Sequence, residues 1–579
     1  MITSGPVPAT LLDILRRARS CKRTAGMRFF RGAREVDYVS YDELYEDAGR
    51  IAGRLAERMA GARSERVALV VPTSADYVRG FFGILAAGAV PVPLPPPIRF
   101  SSLRRFGDRI RGALVKSDIR LVLASEKIVP ILEQIVASLG VSAQVVSVAD
   151  LRQGAPDWHE VSPHDPALVQ YTSGSTSLPK GVVLTHGQIV ANLRSITLAL
   201  DVRDDDIACN WLPLFHDMGL IGCLLGSIYS AIDQLLLPAD DFTVEPLTWL
   251  RLIDCYRATL AVAPNWAYVH CTNRIQHSDA KLLDLSRWRA AMNGAEMVDA
   301  RGARRFAQRF RVAGFRPEAM LPVYGLAEAS LAVTFSTLGH GVTSAWVRGR
   351  ALSHGVVQLT TPDEADSKEV VALGTPVSGV EICLRGGEGQ SLAEGMVGEI
   401  LIRGPSVMSG YDRDVEATNA VFRQGWLGTG DLGFLLDGEL YVVGRAKEMI
   451  VVRGQNFYSH DIEALAGDVT GVWSRNTMAI SVPADGTEAL VLLAETRERD
   501  INRRQRLVAS MHQALSATLG TSPLDVVLIR PGELPRTSSG KLERYKGVSL
   551  YEEHCSRTRY DAEIGARPAG DGSAVAADA

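Results

Sequence analysis

The chain has 579 residues and a formal net charge of -4, with 46% apolar and 22% charged residues. That size and apolar content support several buried cores and more than one domain, and the slightly negative charge leaves no basic field for nucleic acid. Its seven cysteines are scattered without a CxxC pair or metal-ligand spacing, which points to reduced thiols in the cytoplasm and away from a disulfide framework or a zinc site.

From the N-terminus, Met1 to Pro6 leads into Arg16, Arg17 and Arg19 without an uninterrupted apolar core or cleavage site, so no secretion signal is expected. Short β-branched runs at Val67 to Val71 and Leu121 to Ala124 alternate with helical patterns such as Tyr77 to Leu85. That alternation predicts a layered α/β fold. The most apolar stretches, Phe81 to Ile98 and Leu220 to Pro238, are broken by prolines in the first and by Ser227, Ser230, Asp233 and Gln234 in the second. Both read as core, and no membrane span is predicted.

The most informative stretch runs from Gln170 to Gly181, Gln-Tyr-Thr-Ser-Gly-Ser-Thr-Ser-Leu-Pro-Lys-Gly, between the strand-like runs Ala167 to Val169 and Gly181 to Leu184. Hydroxyls, glycine and a lysine in one loop can wrap phosphoryl oxygens. A Walker A loop is excluded, because Lys180 precedes Gly181 and enters a strand instead of heading a helix. Thr185 and Gln188 then form a capping box before a helix whose apolar face is Ile189, Leu193, Ile196 and Leu200.

Farther along come Leu212 to Gly219, containing His216-Asp217, then Asn293-Gly294-Ala295-Glu296 and Tyr324-Gly325-Leu326-Ala327-Glu328. Gly425 to Asp431, a hairpin signal at Asp437-Gly438, and Gly444 to Glu448 follow. Beyond this point the texture changes to strand-like Met449 to Val452, an amphipathic helix over Arg503 to Leu519 and strand-like Val526 to Ile529. A smaller α+β domain is expected there, carrying the hydroxyl-rich loop Leu534 to Lys541. Residues 565–579 have little to bury and are expected to be disordered.

These seven segments, in this order, resemble the acyl-adenylate-forming enzymes: acyl-CoA ligases, luciferase-like ligases and peptide-synthetase adenylation domains. The resemblance implies a large multi-subdomain α/β N-terminal domain over 1–445 that binds ATP and acyl substrate, and a mobile α+β C-terminal domain over 446–564. Activation of this kind needs a carboxylate to attack the α-phosphorus of ATP as pyrophosphate leaves, with Mg2+ and positive donors around the transition state.

By the resemblance, Thr172, Ser173, Gly174, Ser175, Thr176 and Lys180 hold the β- and γ-phosphates, and Glu328 lies beside Mg2+ and the α-phosphate. Tyr324, heading Gly325-Leu326-Ala327, stacks on adenine, with Gly294, Ala295 and Glu296 across the base. Asp431 accepts the ribose hydroxyls, and Arg445 donates to ribose or phosphate oxygens. A histidine in an apolar setting is as readily structural as basic. The resemblance gives His216 a positioning role where acyl pocket, carboxylate and thiol meet, flanked by Trp211 and Phe215. Lys541 bridges carboxylate and α-phosphate, and Lys447 is the hinge about which the small domain turns.

Gly374 comes fifty positions after Tyr324, and the extra piece, about 336–372, reads as an insertion. Its position, with Tyr458 to Glu463, resembles the fatty acyl-AMP ligases, although Ser459-His460 departs from the usual Pro-Gln pair. That subfamily loads a fatty acid, through acyl-AMP, onto the phosphopantetheine of an acyl carrier protein feeding polyketide, peptide or lipid synthesis. Thirty-eight residues follow Lys541, too few for a carrier domain, so a separate carrier is expected. The alternatives are a fatty acyl-CoA ligase and a non-catalytic acyl-adenylate-binding protein; presence of Lys180, Glu328, Asp431, Arg445 and Lys541 together disfavours the latter.

Overall fold

The computed structural model describes residues 7–21, 25–59, 64–97, 103–172, 180–364, 366–452, 455–473, 476–484, 487–519, 522–536 and 541–565. The chain divides into two compact units, with the change at Ala446 and Lys447. Three expectations, the phosphate-loop residues Ser173, Gly174, Ser175 and Thr176, residues 537–540 of the hydroxyl-rich loop before Lys541, and the tail after 565, lie outside the described residues.

The first unit is built on a nine-stranded sheet. Its middle is parallel: Met320–Gly325, Ala290–Gly294, Leu260–Pro264, Ile207–Asn210, Asp233–Leu236 and Gly26–Arg31 are neighbours in that order. Runs such as Leu-Ala-Val-Ala-Pro and Ala-Ala-Met-Asn-Gly suit strands covered on both faces. Antiparallel strands close the edges, Arg34–Ser40 at one end and Ala332–Phe335 with Thr375–Pro376 at the other. A second, all-parallel sheet holds Val90–Pro93, Arg66–Val70, Leu121–Ala124 and Gln144–Ser147.

Pro166–Thr172 and Lys180–Thr185 pair antiparallel, so the hydroxyl-rich loop connects two strands of a hairpin. The helix His186–Ala199 starts at once, because Thr185 Oγ1 accepts from the Gln188 N–H at 3.2 Å and Gln188 Oε1 accepts from the Thr185 N–H at 2.8 Å. Ile189 and Leu193 are wholly buried beneath it, each stabilising the fold by about 1.5–3 kcal/mol. The helix is thereby anchored at its first turn and along one face.

Within the stretch between Tyr324 and Gly374, Ser344–Arg348 and Ser367–Val371 form an antiparallel pair of their own, with the helix Gly349–Ser353 between them. Arg304 holds this hairpin through Glu369 at 2.6 Å. The hairpin turn predicted at Asp437-Gly438 joins Trp426–Leu436 to Glu439–Arg445, with both turn residues at positive φ.

The second unit carries the sheet Thr477–Ala484, Thr487–Glu495 and Asp525–Ile529. Alternation along those strands sends Ala479, Leu490 and Leu492 to one core and Met478, Ile480 and Leu493 to another. The helices Ser459–Gly467 and Ile501–Leu519 and a further helix, Arg544–Gly565, complete the unit. No described helix is long and apolar enough to cross a membrane.

Candidate active site

In a parallel sheet the carboxyl ends of neighbouring strands share one edge, where ligands bind in open α/β folds. Here that edge carries Asn210 and Trp211, Pro264 and Asn265, Asn293 and Gly294, and Tyr324 and Gly325. Four segments far apart in sequence thus meet at one sheet edge because their strands share one sheet.

Asn293 pairs in register with Pro322, so its side chain points to the same face as Tyr324, two residues on. It is wholly buried, donates from Nδ2 to Asn265 Oδ1 at 3.1 Å, and keeps Oδ1 without a partner. An unpaired buried acceptor is costly and fits a ligand N–H donor. Gly294 has no room for a side chain, since a Cβ would lie 2.8 Å from the Val323 carbonyl oxygen. Ala295 adopts φ 68°, and the Glu296 carboxylate accepts from the Trp266 N–H at 2.5 Å, at the start of the helix Asn265–Arg274. Glu296 therefore acts on that helix N-terminus.

Tyr324 donates its hydroxyl to Asp431 Oδ2 at 2.7 Å, and Arg445 Nε meets Asp431 Oδ1 at 2.9 Å. Asp431 and Arg445 are paired in register on adjacent strands of the hairpin around Asp437-Gly438. Burial, then the charge of Asp431, pushes the Tyr324 phenol well above its ordinary range, which keeps it a donor. Three residues picked from separate motifs form one linked group.

Four residues after Tyr324, in a single tight turn, stands Glu328. Burial raises its carboxyl above the usual carboxylate range, opposed by the Tyr411 hydroxyl, which donates to Oε1 at 3.0 Å. Gly325 makes the turn possible: a Cβ there would sit 1.9 Å from the Leu331 carbonyl oxygen. Lys180 Nζ lies 4.7 Å from the centre of the Tyr411 ring, and Thr172 Oγ1 donates to the Lys180 carbonyl at 3.4 Å. The phosphate-loop strands and Glu328 thus share a neighbour.

His216 Nδ1 lies 2.5 Å from Asp217 Oδ1, and Asp217 also accepts from the Met218 N–H at the start of a π-helical segment, Met218–Leu225. Gln170 Nε2 donates to the Phe215 carbonyl at 2.9 Å, and the Tyr77 hydroxyl to that of Leu214 at 2.5 Å. The His216 backbone is thus tied to the strand that leads into the phosphate loop. Trp211 is 3% exposed and stacks on Phe242 at 3.9 Å, with Trp249 and Trp266 edge-on, so it serves an aromatic core.

In the second unit, Lys541 is partly buried and stands next to Leu542, which forms a bridge with Arg536. Glu495 accepts from the Gly532 and Leu534 N–H groups and steadies the approach to that bridge. Lys447 lies in the turn Ala446–Glu448, where one unit gives way to the other. Arg544 joins Glu448 at 2.6 Å and Glu463 at 2.7 Å, linking that turn to the segment after Lys541.

Tyr411 and Asp412 belong to the site's surroundings although they lie outside the sequence motifs. Buried Asp412 accepts from Arg66 Nη2 at 2.8 Å and Ser117 Oγ at 2.7 Å, and Ser117 also meets the Tyr171 hydroxyl at 2.8 Å. Gly410-Tyr411, a glycine beside an aromatic residue, was the available local sign.

Known proteins are similar to this chain in sequence and fold. The family model described as AMP-binding enzyme matches residues 17–412. A Caulobacter vibrioides protein provisionally named an acyl-CoA synthetase is 34% identical over 89% of this chain and 91% of its own. The medium-chain-fatty-acid acyl-carrier-protein ligase JamA of Moorena producens is 33% identical over 93% of this chain and 95% of its own. Among solved structures, one of the fatty acyl-adenylate ligases studied from E. coli and L. pneumophila superposes with a TM-score of 0.89 at 34% identity, covering 96% of this chain and 100% of that one.

Proposed function

The chain belongs to the AMP-binding enzyme family, and on that premise we propose that it activates a fatty acid with ATP and passes the acyl group to the phosphopantetheine thiol of a separate acyl carrier protein. In the first step a fatty-acid carboxylate oxygen bonds to the α-phosphorus, the bond to the β-phosphate oxygen breaks, and pyrophosphate leaves with that electron pair. In the second, the thiol sulfur bonds to the acyl carbon, AMP leaves with the mixed-anhydride oxygen, and the thiol proton passes to solvent.

The observation that carries this reading is the linked group Tyr324, Asp431 and Arg445, with Glu328 four residues from Tyr324. It offers an adenosine end and a phosphate end in one place. The unpaired Asn293 Oδ1 suits the adenine amino group, Asp431 the ribose hydroxyls, and Lys180 with Thr172 the terminal phosphates. Ser173, Gly174, Ser175 and Thr176 belong to the same phosphate-binding role by their place in the loop.

Mg2+ fits the donor set. It takes one or two carboxylates together with phosphate oxygens and water, and Glu328 supplies the carboxylate. Among the described residues no group of three or more His, Cys, Asp or Glu forms a cage of its own. When bound, the ion neutralises phosphate charge as pyrophosphate departs. His216 positions the fatty-acid carboxylate, Lys541 brings an ammonium to the carboxylate and α-phosphate oxygens, and Lys447 is the pivot between the two half-reactions.

The name of the Caulobacter relative favours a second reading, in which coenzyme A is the acceptor. One experiment separates the two: purified protein with ATP, Mg2+ and radiolabelled dodecanoate, followed by thin-layer chromatography with no acceptor, with coenzyme A, or with a phosphopantetheinylated carrier protein. Acyl-AMP that persists with coenzyme A and is consumed by the carrier is the expected result. Conversion to acyl-CoA establishes the second reading, and absence of acyl-AMP across chain lengths overturns both.

A further inference from the structure

Tyr411 lies outside every motif taken from the sequence, yet it touches two side chains assigned to the phosphate end of the site. Its hydroxyl donates to Glu328 Oε1 at 3.0 Å, and its ring lies under Lys180 Nζ at 4.7 Å. Neither contact is incidental, because the segment around Tyr411 is held from several sides.

Gly410 and Tyr411 pair with Val183 and Val182, adding a short strand to the phosphate-loop hairpin. The Tyr411 N–H donates to Thr418 Oγ1 at 2.9 Å. The next residue, Asp412, is gripped by Arg66 and Ser117 and donates its N–H to the Gly181 carbonyl at 2.7 Å. Two residues earlier than Gly410, the Met408 N–H donates to the Glu328 carbonyl at 2.7 Å. One segment therefore holds the backbones of both Glu328 and the strand that carries Lys180.

A buried carboxylate needs a donor to keep one orientation, and a phenol at hydrogen-bond distance supplies it. An ammonium over an aromatic face is attracted to it without being neutralised, so Lys180 keeps its charge for phosphate oxygens. We propose that Tyr411 is a positioning residue of the ATP site, its hydroxyl aiming the Glu328 carboxylate at the metal and its ring holding the Lys180 ammonium toward the phosphates. The inference rests on the acyl-adenylate reading of the same site.

Two substitutions separate the contacts: Tyr411→Phe removes the hydroxyl and keeps the ring, and Tyr411→Leu removes both. The readout is calorimetric affinity for α,β-methylene-ATP, which cannot be cleaved between its α- and β-phosphorus atoms, measured with Mg2+ and with EDTA. For Tyr411→Phe the tightening of binding by Mg2+ should shrink by about fivefold or more, as for loss of a hydrogen bond to a charged group. Its affinity in EDTA should stay within about twofold, because the ring contact with Lys180 remains. Tyr411→Leu should in addition weaken binding in EDTA by about threefold or more.

A Tyr411→Phe protein with the wild-type Mg2+ effect overturns the proposal. If that protein melts well below the wild type, the comparison is repeated in a Glu328→Gln background. There the Phe change should no longer alter the Mg2+ effect, and an additive loss overturns the proposal. Failure of the wild type to form acyl-AMP overturns the functional reading instead, since analogue binding does not require the fatty acid.

Discussion

Asp431 is 5% exposed and already engages two partners, Tyr324 and Arg445, through different oxygens. Each carboxylate oxygen can accept again, so a ribose diol adds to the arrangement without breaking it. Asp431→Asn replaces one acceptor with a donor facing either the Tyr324 hydroxyl or the Arg445 guanidinium. ATP affinity by calorimetry should fall about 10- to 100-fold, as expected for a hydrogen bond to a charged group. A second residue-scale prediction concerns His186, whose Nδ1 accepts from the Leu11 N–H at 3.2 Å and which is 1% exposed. Burial lowers its pKa from 6.5 to about 4. Its folded value is depressed, so its contribution to stability is full above pH 6.5 and is lost as pH falls from 6.5 toward 4, by about 3 kcal/mol in total. Denaturant titrations at pH 7.5 and 4.5 should show a smaller acid loss in His186→Asn than in the wild type. An equal loss in both would remove His186 as a source of the pH dependence. Neither His186 with Leu11 nor Asp412 with Arg66 could be read from sequence, because partners 175 and 346 residues apart leave no local pattern. Tyr324, Glu328, Asp431 and Arg445 could be singled out because each sits in a short string that resembles a motif of the acyl-adenylate-forming enzymes.

At the scale of elements, the turn from Tyr324 to Glu328 sets the spacing between the residue proposed for adenosine and the residue proposed for the phosphates. Gly325 is its critical position, with no space beside the Leu331 carbonyl for even a methyl group. Gly325→Ala must push apart two backbone segments, displacing Glu328 relative to Tyr324. Acyl-AMP formation should drop by about 100-fold or more, as follows from a misplacement of about 1 Å at a reacting centre, while the melting temperature changes by only a few degrees. Normal activity in Gly325→Ala would mean that the turn does not set this spacing. The elements that sequence reasoning found are those with strong local signals: the strands around the phosphate loop, the capped helix His186–Ala199, and the hairpin at Asp437-Gly438. It did not find the π-helical segment Met218–Leu225, whose residues are nearly all apolar and give no face, nor the hairpin pairing Ser344–Arg348 with Ser367–Val371. That hairpin takes its register from a partner about twenty residues away and its anchor from Arg304 on another helix, so neither strand announces it alone.

For the whole molecule, the decisive fact is that residues assigned to nucleotide binding and the lysine assigned to chemistry belong to different compact units. Tyr324, Glu328, Asp431 and Arg445 lie in the first, which has its own core around the nine-stranded sheet. Lys541 lies in the second, beside Leu542, which bridges Arg536. Binding and bond formation should therefore separate under mutation, which would not hold if one unit carried both. Lys541→Ala should bind α,β-methylene-ATP within about threefold of the wild type, since no binding group in the first unit is altered. Its formation of acyl-AMP should fall about 100- to 1000-fold, the usual consequence of deleting one donor to developing charge. Acyl transfer from presynthesised acyl-AMP to a carrier thiol should survive, because in that step the thiol attacks the acyl carbon and no bond to the α-phosphorus is made or broken. Loss of analogue binding in Lys541→Ala would place the lysine among the binding residues, and equal loss of both half-reactions would show that it holds the second unit together. Only retention of binding and transfer with loss of adenylation fits a lysine delivered from one unit to a nucleotide held by the other.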